Sequence, residues 1–178
     1  MKSIRRLSKY IPLVGILILF TTSACQGQMK KRKSPMDSVQ QTIQGVELGI
    51  TYSQPSKRGR AIFGGLVPYG KVWRTGANEA TVLEVSQAIK MKGQTLAPGQ
   101  YALFTIPGKE QWTVILNSVH NQWGAYNYDE SKDVLRFQVK PQSTEEVQEE
   151  MRFSISKEGK IKLHWDTTVV SFQVKPAA

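Results

Sequence analysis

Apolar and polar residues alternate along most of the chain after residue 39. The alternation is clearest in eight segments, at residues 46–54, 81–91, 100–107, 111–117, 134–140, 152–157, 160–165 and 168–174. Successive side chains of a strand point to opposite faces, so this pattern predicts strands with one buried face. Turn-forming pairs separate several of them, at 92–93, 98–99, 107–108 and 158–159. The sequence therefore predicts an all-β fold, a single antiparallel β-sandwich of about eight to nine strands.

One segment, 143–151, carries the signals of a helix start instead. Ser143 is a suitable N-cap, and Glu146 follows three residues later, which is the spacing of a capping box. The sequence thus predicts at most one short helix.

Two long segments, 55–78 and 118–133, lack strand alternation and are rich in polar and aromatic residues. Loops longer than about 12–15 residues are uncommon in compact domains and tend to be functional. Because loops at one end of a sandwich cluster, these two loops can meet. The sequence therefore predicts that a binding site is built by them.

The first 24 residues have the order of a secretory signal peptide. Four basic residues precede the apolar run "IPLVGILILF", and the small-residue string "TTSAC" follows it. The run is shorter than the about 20 apolar residues that a membrane span needs, so we interpret it as an export signal.

Cys25, the chain's single cysteine, ends that string and has no disulfide partner within the chain. The string resembles the lipobox of bacterial lipoproteins, whose cysteine is acylated, although Thr22 stands where the lipobox usually has leucine. The resemblance implies a lipidated Cys25 and a location in the bacterial cell envelope, on the periplasmic or outer-membrane face. The alternative is ordinary signal cleavage that leaves Cys25 as an incidental thiol.

The basic character of the chain is concentrated near its start. Of its 24 Lys and Arg residues eight precede Ser34, which leaves 16 bases against 14 acids, a net charge of +2. Residues 25–38, which include "KKRK", are predicted to be a basic tether, and each base near an anionic membrane adds about 1 kcal/mol of attraction. The domain follows at 39–178, and nucleic acid is not an expected partner.

The candidate site residues come from the two loops. They are Trp73, Arg74, Asn78, Glu79, Trp123 and Tyr126. Arg74 can clamp a carboxylate or phosphate, Asn78 and Glu79 can fix hydroxyls, and the aromatic rings can stack on a ligand. Positive φ at Gly76 is predicted to bring Arg74 and Asn78 together.

Structural alternatives exist for these residues. Arg74 can pair with Glu79 while Asn78 caps the turn, and Trp73 and Trp123 can be core residues, as Trp112 and Trp165 are expected to be.

Enzyme signals are weak. The acid–base candidates are Glu79, Asp129, Asp133, His120 and His164, the last of which is expected to face solvent. A pair such as Glu79 with Asp129 can act in glycoside hydrolysis, but no spacing requires it. The chain has no nucleophile elbow and no nucleotide-binding glycine motif, and its two histidines are far apart. No cofactor and no metal site is expected.

Three strings carry a family resemblance: "YSQPSKRGRAIFGGLVPYGKVWRTGANEATVLE", "LAPGQYALFTIPGKEQWTVILN" and "NQWGAYNYDESKDVLRFQVKP". Together they resemble DUF2911, a family of unknown function in exported proteins of Bacteroidetes-type bacteria, over about half of the chain. The resemblance implies an envelope location and a β-rich fold, and it implies no activity.

Three functions remain open at this point. The first is a membrane-tethered β-sandwich that binds a small anionic or polyhydroxylated ligand or a glycan. The second is an envelope structural or protein-interaction module without a small ligand. The third is a hydrolase that uses Glu79 with a second carboxylate or with His120.

Overall fold

The computed structural model describes residues 32–177, which form an all-β domain with ten strands. The strands are β1 (Met36–Ile43), β2 (Val46–Ser53), β3 (Ala77–Val85), β4 (Ile89–Met91), β5 (Gln94–Leu96), β6 (Gly99–Ile106), β7 (Trp112–Asn117), β8 (Asp133–Val139), β9 (Gln142–Ile155) and β10 (Lys160–Pro176). Within this range the one helical element is a 3₁₀ turn at Glu130–Lys132.

The strands form two antiparallel sheets. Six strands make the first sheet in the order β1-β2-β3-β6-β7-β8, and four make the second in the order β5-β4-β10-β9. Buried side chains of both sheets share one apolar core; for example, the rings of Phe137 on β8 and Phe172 on β10 meet edge to face with centroids 5.3 Å apart. The predicted antiparallel β-sandwich is confirmed.

The predicted helix at 143–151 is wrong, because this segment lies inside β9. It pairs with β10, with Ser143 opposite Thr168 and Arg152 opposite His164. Its side chains are mostly exposed up to Glu150, so a helix here would gain little from burial, whereas the strand satisfies its backbone groups on β10. The glutamates suit an edge position, since charge on an edge strand discourages further pairing.

The first strand, β1, was not among the predicted strands. It pairs with β2 along its whole length and begins at Met36, within the segment predicted to be a tether. Its side chains are mostly exposed, because β1 is an edge of the six-stranded sheet. With few inward apolar residues it shows only a faint alternation.

His164 is buried and not solvent-facing as expected. Only 7% of the residue is exposed, and its Nε2 has no hydrogen-bond partner within the described residues. The pairing of β10 with β9 shifts register on both sides of Asp166, so simple alternation does not hold in this part of the strand.

The predicted signal peptide, Cys25 and the first part of the predicted tether lie outside the described residues. Between residues 32 and 177 no helix is long and apolar enough to cross a membrane.

Candidate functional site

The loop between β2 and β3 reaches the core through Trp73. The backbone of Trp73 exchanges two hydrogen bonds with Thr105 on β6, and its indole stacks on Trp165 with centroids 6.0 Å apart. The indole N–H donates to the carbonyl of Gly76 at 3.1 Å. Trp73 is therefore a core residue, which was the structural alternative for it.

The turn after Trp73 differs from the predicted one. Positive φ occurs at Thr75, at 53°, and not at Gly76. Gly76 lies in a confined space instead, since a Cβ there would lie 3.0 Å from Thr81 Oγ1 and 3.1 Å from the carbonyl oxygen of Ser53 and would need these neighbours to move slightly. A β-branched residue rarely adopts positive φ. The contact that stabilises this conformation at Thr75 is made by its buried hydroxyl, which lies 3.1 Å from the hydroxyl of Thr105.

Arg74 lines a cavity of about 340 Å³, here called the cationic pocket. Arg60 and Lys71 line it too, and no carboxylate is among its described lining residues. Leu66 and Val67, together with the indole of Trp73, form an apolar part of its wall. The pocket therefore combines positive charge with apolar surface.

The guanidinium of Arg74 has no counter-charge among residues 32–177. It forms no ion pair there, and its Nε is buried without a hydrogen-bond partner. Burial lowers the pKa of Arg74, partly opposed by the nearby Tyr126. A partly desolvated cation without an anion is costly, and a bound anion would remove that cost.

Glu79 pairs with Arg32 and not with Arg74, so the alternative that Arg74 and Glu79 form a pair is wrong. Nη1 of Arg32 lies 2.8 Å from Oε1 and 2.9 Å from Oε2 of Glu79. Burial raises the pKa of Glu79, but hydrogen bonds from its own backbone, from Arg32 and from Ser53 outweigh burial and hold that pKa below its ordinary value.

Asn78 has a structural role at this point of the chain. It adopts positive φ, which Asn tolerates well. Its amide donates to the Ser34 carbonyl at 3.1 Å and to Ser53 Oγ at 3.2 Å. Asn78 thus fastens the segment before β1 against the start of β3.

The second loop meets the start of β3. Glu79 and Trp123 form an isolated antiparallel bridge, flanked by hydrogen bonds from Ala80 N to Gln122 O (3.0 Å) and from Gly124 N to Asn78 O (2.9 Å). Beside the bridge lies a groove of about 530 Å³, here called the aromatic groove. Its lining includes Glu79, His120, Asn121, Gln122 and Trp123.

The two remaining aromatic candidates of the second loop are on the surface. Trp123 is 56% exposed, so the alternative that it is a core residue is wrong. Tyr126 is 82% exposed and lines neither the cationic pocket nor the aromatic groove. The six candidate residues are therefore divided: Trp73 and Arg74 line the cationic pocket, while Glu79 and Trp123 line the aromatic groove.

Of the other acid–base candidates, Asp129, Asp133 and His164 do not line the aromatic groove with Glu79. Asp129 is the N-cap of the 3₁₀ turn and accepts from Ser131 N, and hydrogen bonds from that residue lower its pKa. Asp133 accepts from Tyr128 at 2.6 Å and from Asn117 at 2.8 Å. His120 alone among them shares the aromatic groove with Glu79.

Arg60 and Lys71 were not among the candidate site residues, although the sequence contains a signal for them. The segment 55–78 holds five bases and neither Asp nor Glu. Bases in a long loop without acids have no ionic partner nearby in sequence; of these five, Lys57 finds one in Asp166 on β10. Which of them line one cavity depends on the path of the loop.

The chain belongs to the family described as protein of unknown function DUF2911, which matches residues 34–174. No curated protein and no solved structure matches the chain.

Proposed function

We propose that this member of the DUF2911 family is a tethered envelope protein that binds a small anionic ligand in the cationic pocket. The observation that carries the proposal is Arg74, whose partly buried guanidinium has no counter-charge between residues 32 and 177. An arginine presents a planar fork of donors that matches carboxylate and phosphate oxygens.

The shape of the pocket favours a small ligand over a protein partner. Its volume of about 340 Å³ lies in the range of ligand sites, roughly 300–1,000 Å³. Arg60 and Lys71 add positive charge at its wall, and the apolar side chains beside them exclude water from part of the site. A protein-interaction module would instead be supported by a flat apolar patch.

The envelope location is part of the proposal and is supported by the sequence. The signal-peptide pattern of residues 1–24 and the lipobox-like "TTSAC" support export and acylation of Cys25. The basic run at 30–33 supports contact with an anionic membrane next to that anchor. The domain would then hold its ligand close to a membrane.

Hydrolysis by a carboxylate pair is less well supported. The aromatic groove contains Glu79 as the one carboxylate among its described lining residues, while a glycosidase of this type needs two. Binding is therefore the function that the geometry favours.

Isothermal titration calorimetry of the purified protein tests the proposal. Inorganic phosphate, acetate and benzoate are the anionic probes, and glucose is the neutral one. We expect at least one anion to bind, and Arg74→Met to abolish that binding. Arg152→Met is the matched control, because Arg152 is an exposed arginine on β9 that lines neither cavity.

Two results would overturn the anion-binding proposal. One is the absence of binding by all three anions. The other is equal binding by the wild-type protein and Arg74→Met, which would place the anion elsewhere.

A further inference from the structure

The bridge between β3 and the second loop places an indole beside a carboxylate. Glu79 and Trp123 are directly opposite one another in this antiparallel bridge. Side chains of such a pair share one face, with Cβ atoms about 4.5–5.5 Å apart. The hydrogen bonds on both sides of the bridge, made by Ala80 and Gly124, hold this arrangement in place.

Trp123 is the one exposed tryptophan of the chain. The sequence has four tryptophans, and the other three are at most 8% exposed. A large aromatic ring left on the surface beside a groove is a typical contact for a ligand with an apolar face. The Trp123 indole therefore does not pack in the core, and its ring is accessible to a ligand in the groove.

Polar groups surround this ring on the groove side. The Glu79 carboxylate accepts hydrogen bonds from Arg32 and Ser53, and a carboxylate has about four acceptor positions, so it retains capacity for a hydroxyl. Asn121 adds an exposed amide to the groove.

We infer that the aromatic groove is a second ligand site, separate from the cationic pocket, and that it takes a neutral oligosaccharide. One face of a sugar ring carries C–H groups that pack on an indole, while its hydroxyls donate to carboxylate and amide oxygens beside it. Arg32 compensates the charge of Glu79, so the groove has no excess positive charge that would select an anion. The volume of about 530 Å³ accommodates more than one sugar ring.

Acrylamide quenching of tryptophan fluorescence gives a direct readout of this site. Since the other three indoles are buried in the core, collisional quenching reports mainly on Trp123. The probes are maltotriose, cellotriose and tri-N-acetylchitotriose, added to the full chain. We expect at least one of them to protect Trp123 from acrylamide, and inorganic phosphate to leave the quenching unchanged.

Variants assign the binding to the groove by calorimetry. Trp123→Ala and Glu79→Gln should each weaken binding of the protective trisaccharide by roughly tenfold or more. Tyr126→Ala is the matched control, because Tyr126 is an exposed aromatic residue of the same loop outside the groove, and it should bind as the wild type does.

The inference is overturned if none of the three trisaccharides protects Trp123, or if Trp123→Ala binds them as tightly as the wild-type protein. Neither result bears on the proposed anion binding in the cationic pocket, because that proposal is tested separately with anions and Arg74→Met. Conversely, loss of anion binding in Arg74→Met with unchanged trisaccharide binding would show that the two sites are separate.

Discussion

At the scale of single residues, Arg74 is a cation without a partner in the described domain. Its Nε is buried and unbonded, and Glu79, the partner considered for it from the sequence, is engaged by Arg32. An interaction that is absent cannot be lost on mutation. The stability of the domain should therefore not depend on this charge.

We expect Arg74→Met to change the free energy of unfolding by no more than about 0.5 kcal/mol, or to raise it. Methionine keeps much of the side-chain volume and removes the partly desolvated charge. Urea denaturation of the variant beside the wild type measures the difference. A decrease of about 3 kcal/mol or more in the free energy of unfolding would show that Arg74 belongs to a buried ion pair. Its role would then be structural, and the cationic pocket would not be a binding site.

Tyr52 joins three strands through its hydroxyl. The hydroxyl donates to Asp37 Oδ2 on β1 at 2.8 Å and accepts from Phe153 N on β9 at 3.3 Å. Burial raises the pKa of Tyr52 to about 12; the Phe153 hydrogen bond opposes this shift and the Asp37 carboxylate adds to it.

This pKa predicts an alkaline loss of stability. Above about pH 10 the unfolded chain releases the tyrosine proton while the folded chain keeps it. The contribution of protonated Tyr52 to the free energy of unfolding is therefore complete below pH 10. It falls by about 2 kcal/mol as the pH rises towards the pKa of Tyr52 in the folded protein. Tyr52→Phe should be about 1 kcal/mol less stable at pH 7 and should show a shallower decline above pH 10.

Urea denaturation between pH 7 and pH 12 checks the Tyr52 prediction. Tyr126→Phe, a change at an exposed tyrosine, is the control and should follow the wild type. Parallel declines for Tyr52→Phe and the wild type would contradict the assignment.

At the scale of elements, β9 combines an exposed half and a buried half. Val147 is 56% exposed, while Met151 is fully buried and packs close to Gly76, below the turn that presents Arg74. The last residues of the strand alternate between the core and solvent. The second half of the strand thus packs against the loop of the cationic pocket.

Met151→Ala should cost about 2–5 kcal/mol, because it opens a cavity in a fully buried position. Val147→Ala should stay within about 0.5 kcal/mol, because the side chain is largely in solvent. Chemical denaturation of the two variants measures both costs. Equal costs would be inconsistent with the described burial of β9.

At the scale of the whole molecule, the segment before β1 links the predicted tether to the proposed sites. The carbonyl of Lys33 accepts from Arg58, that of Ser34 accepts from Asn78, and Arg32 pairs with Glu79. Ser34 also lines the cationic pocket. The chain therefore enters the domain beside both proposed ligand sites.

Mass spectrometry of the mature N-terminus tests the proposed anchor. We expect the first residue to be an acylated Cys25 and the protein to fractionate with membranes. Cys25→Ser should release it from the membrane fraction, because no second lipid signal remains and the basic run alone binds weakly. An unmodified N-terminus at Gln26 or Gln28 would rule out lipidation.

The sequence by itself determined the fold class and the location of the loops. Alternation with period two and glycine-containing turns are local properties, so they predict strands wherever one face is buried. The buried Trp112 and Trp165 were predictable for the same reason. The loops at 55–78 and 118–133 were visible because they interrupt that alternation, and the structure brings the second loop onto the start of β3.

Only the tertiary structure decided which residues share a site. Glu79 is paired with Arg32, 47 positions earlier, and stands opposite Trp123, and neither contact has a local signal. The strand at 142–155 likewise depends on β10, which overrides the capping signal at Ser143. Partners distant in sequence set pairing and burial, and the conformation of a turn such as Thr75-Gly76 follows from the space that those partners leave.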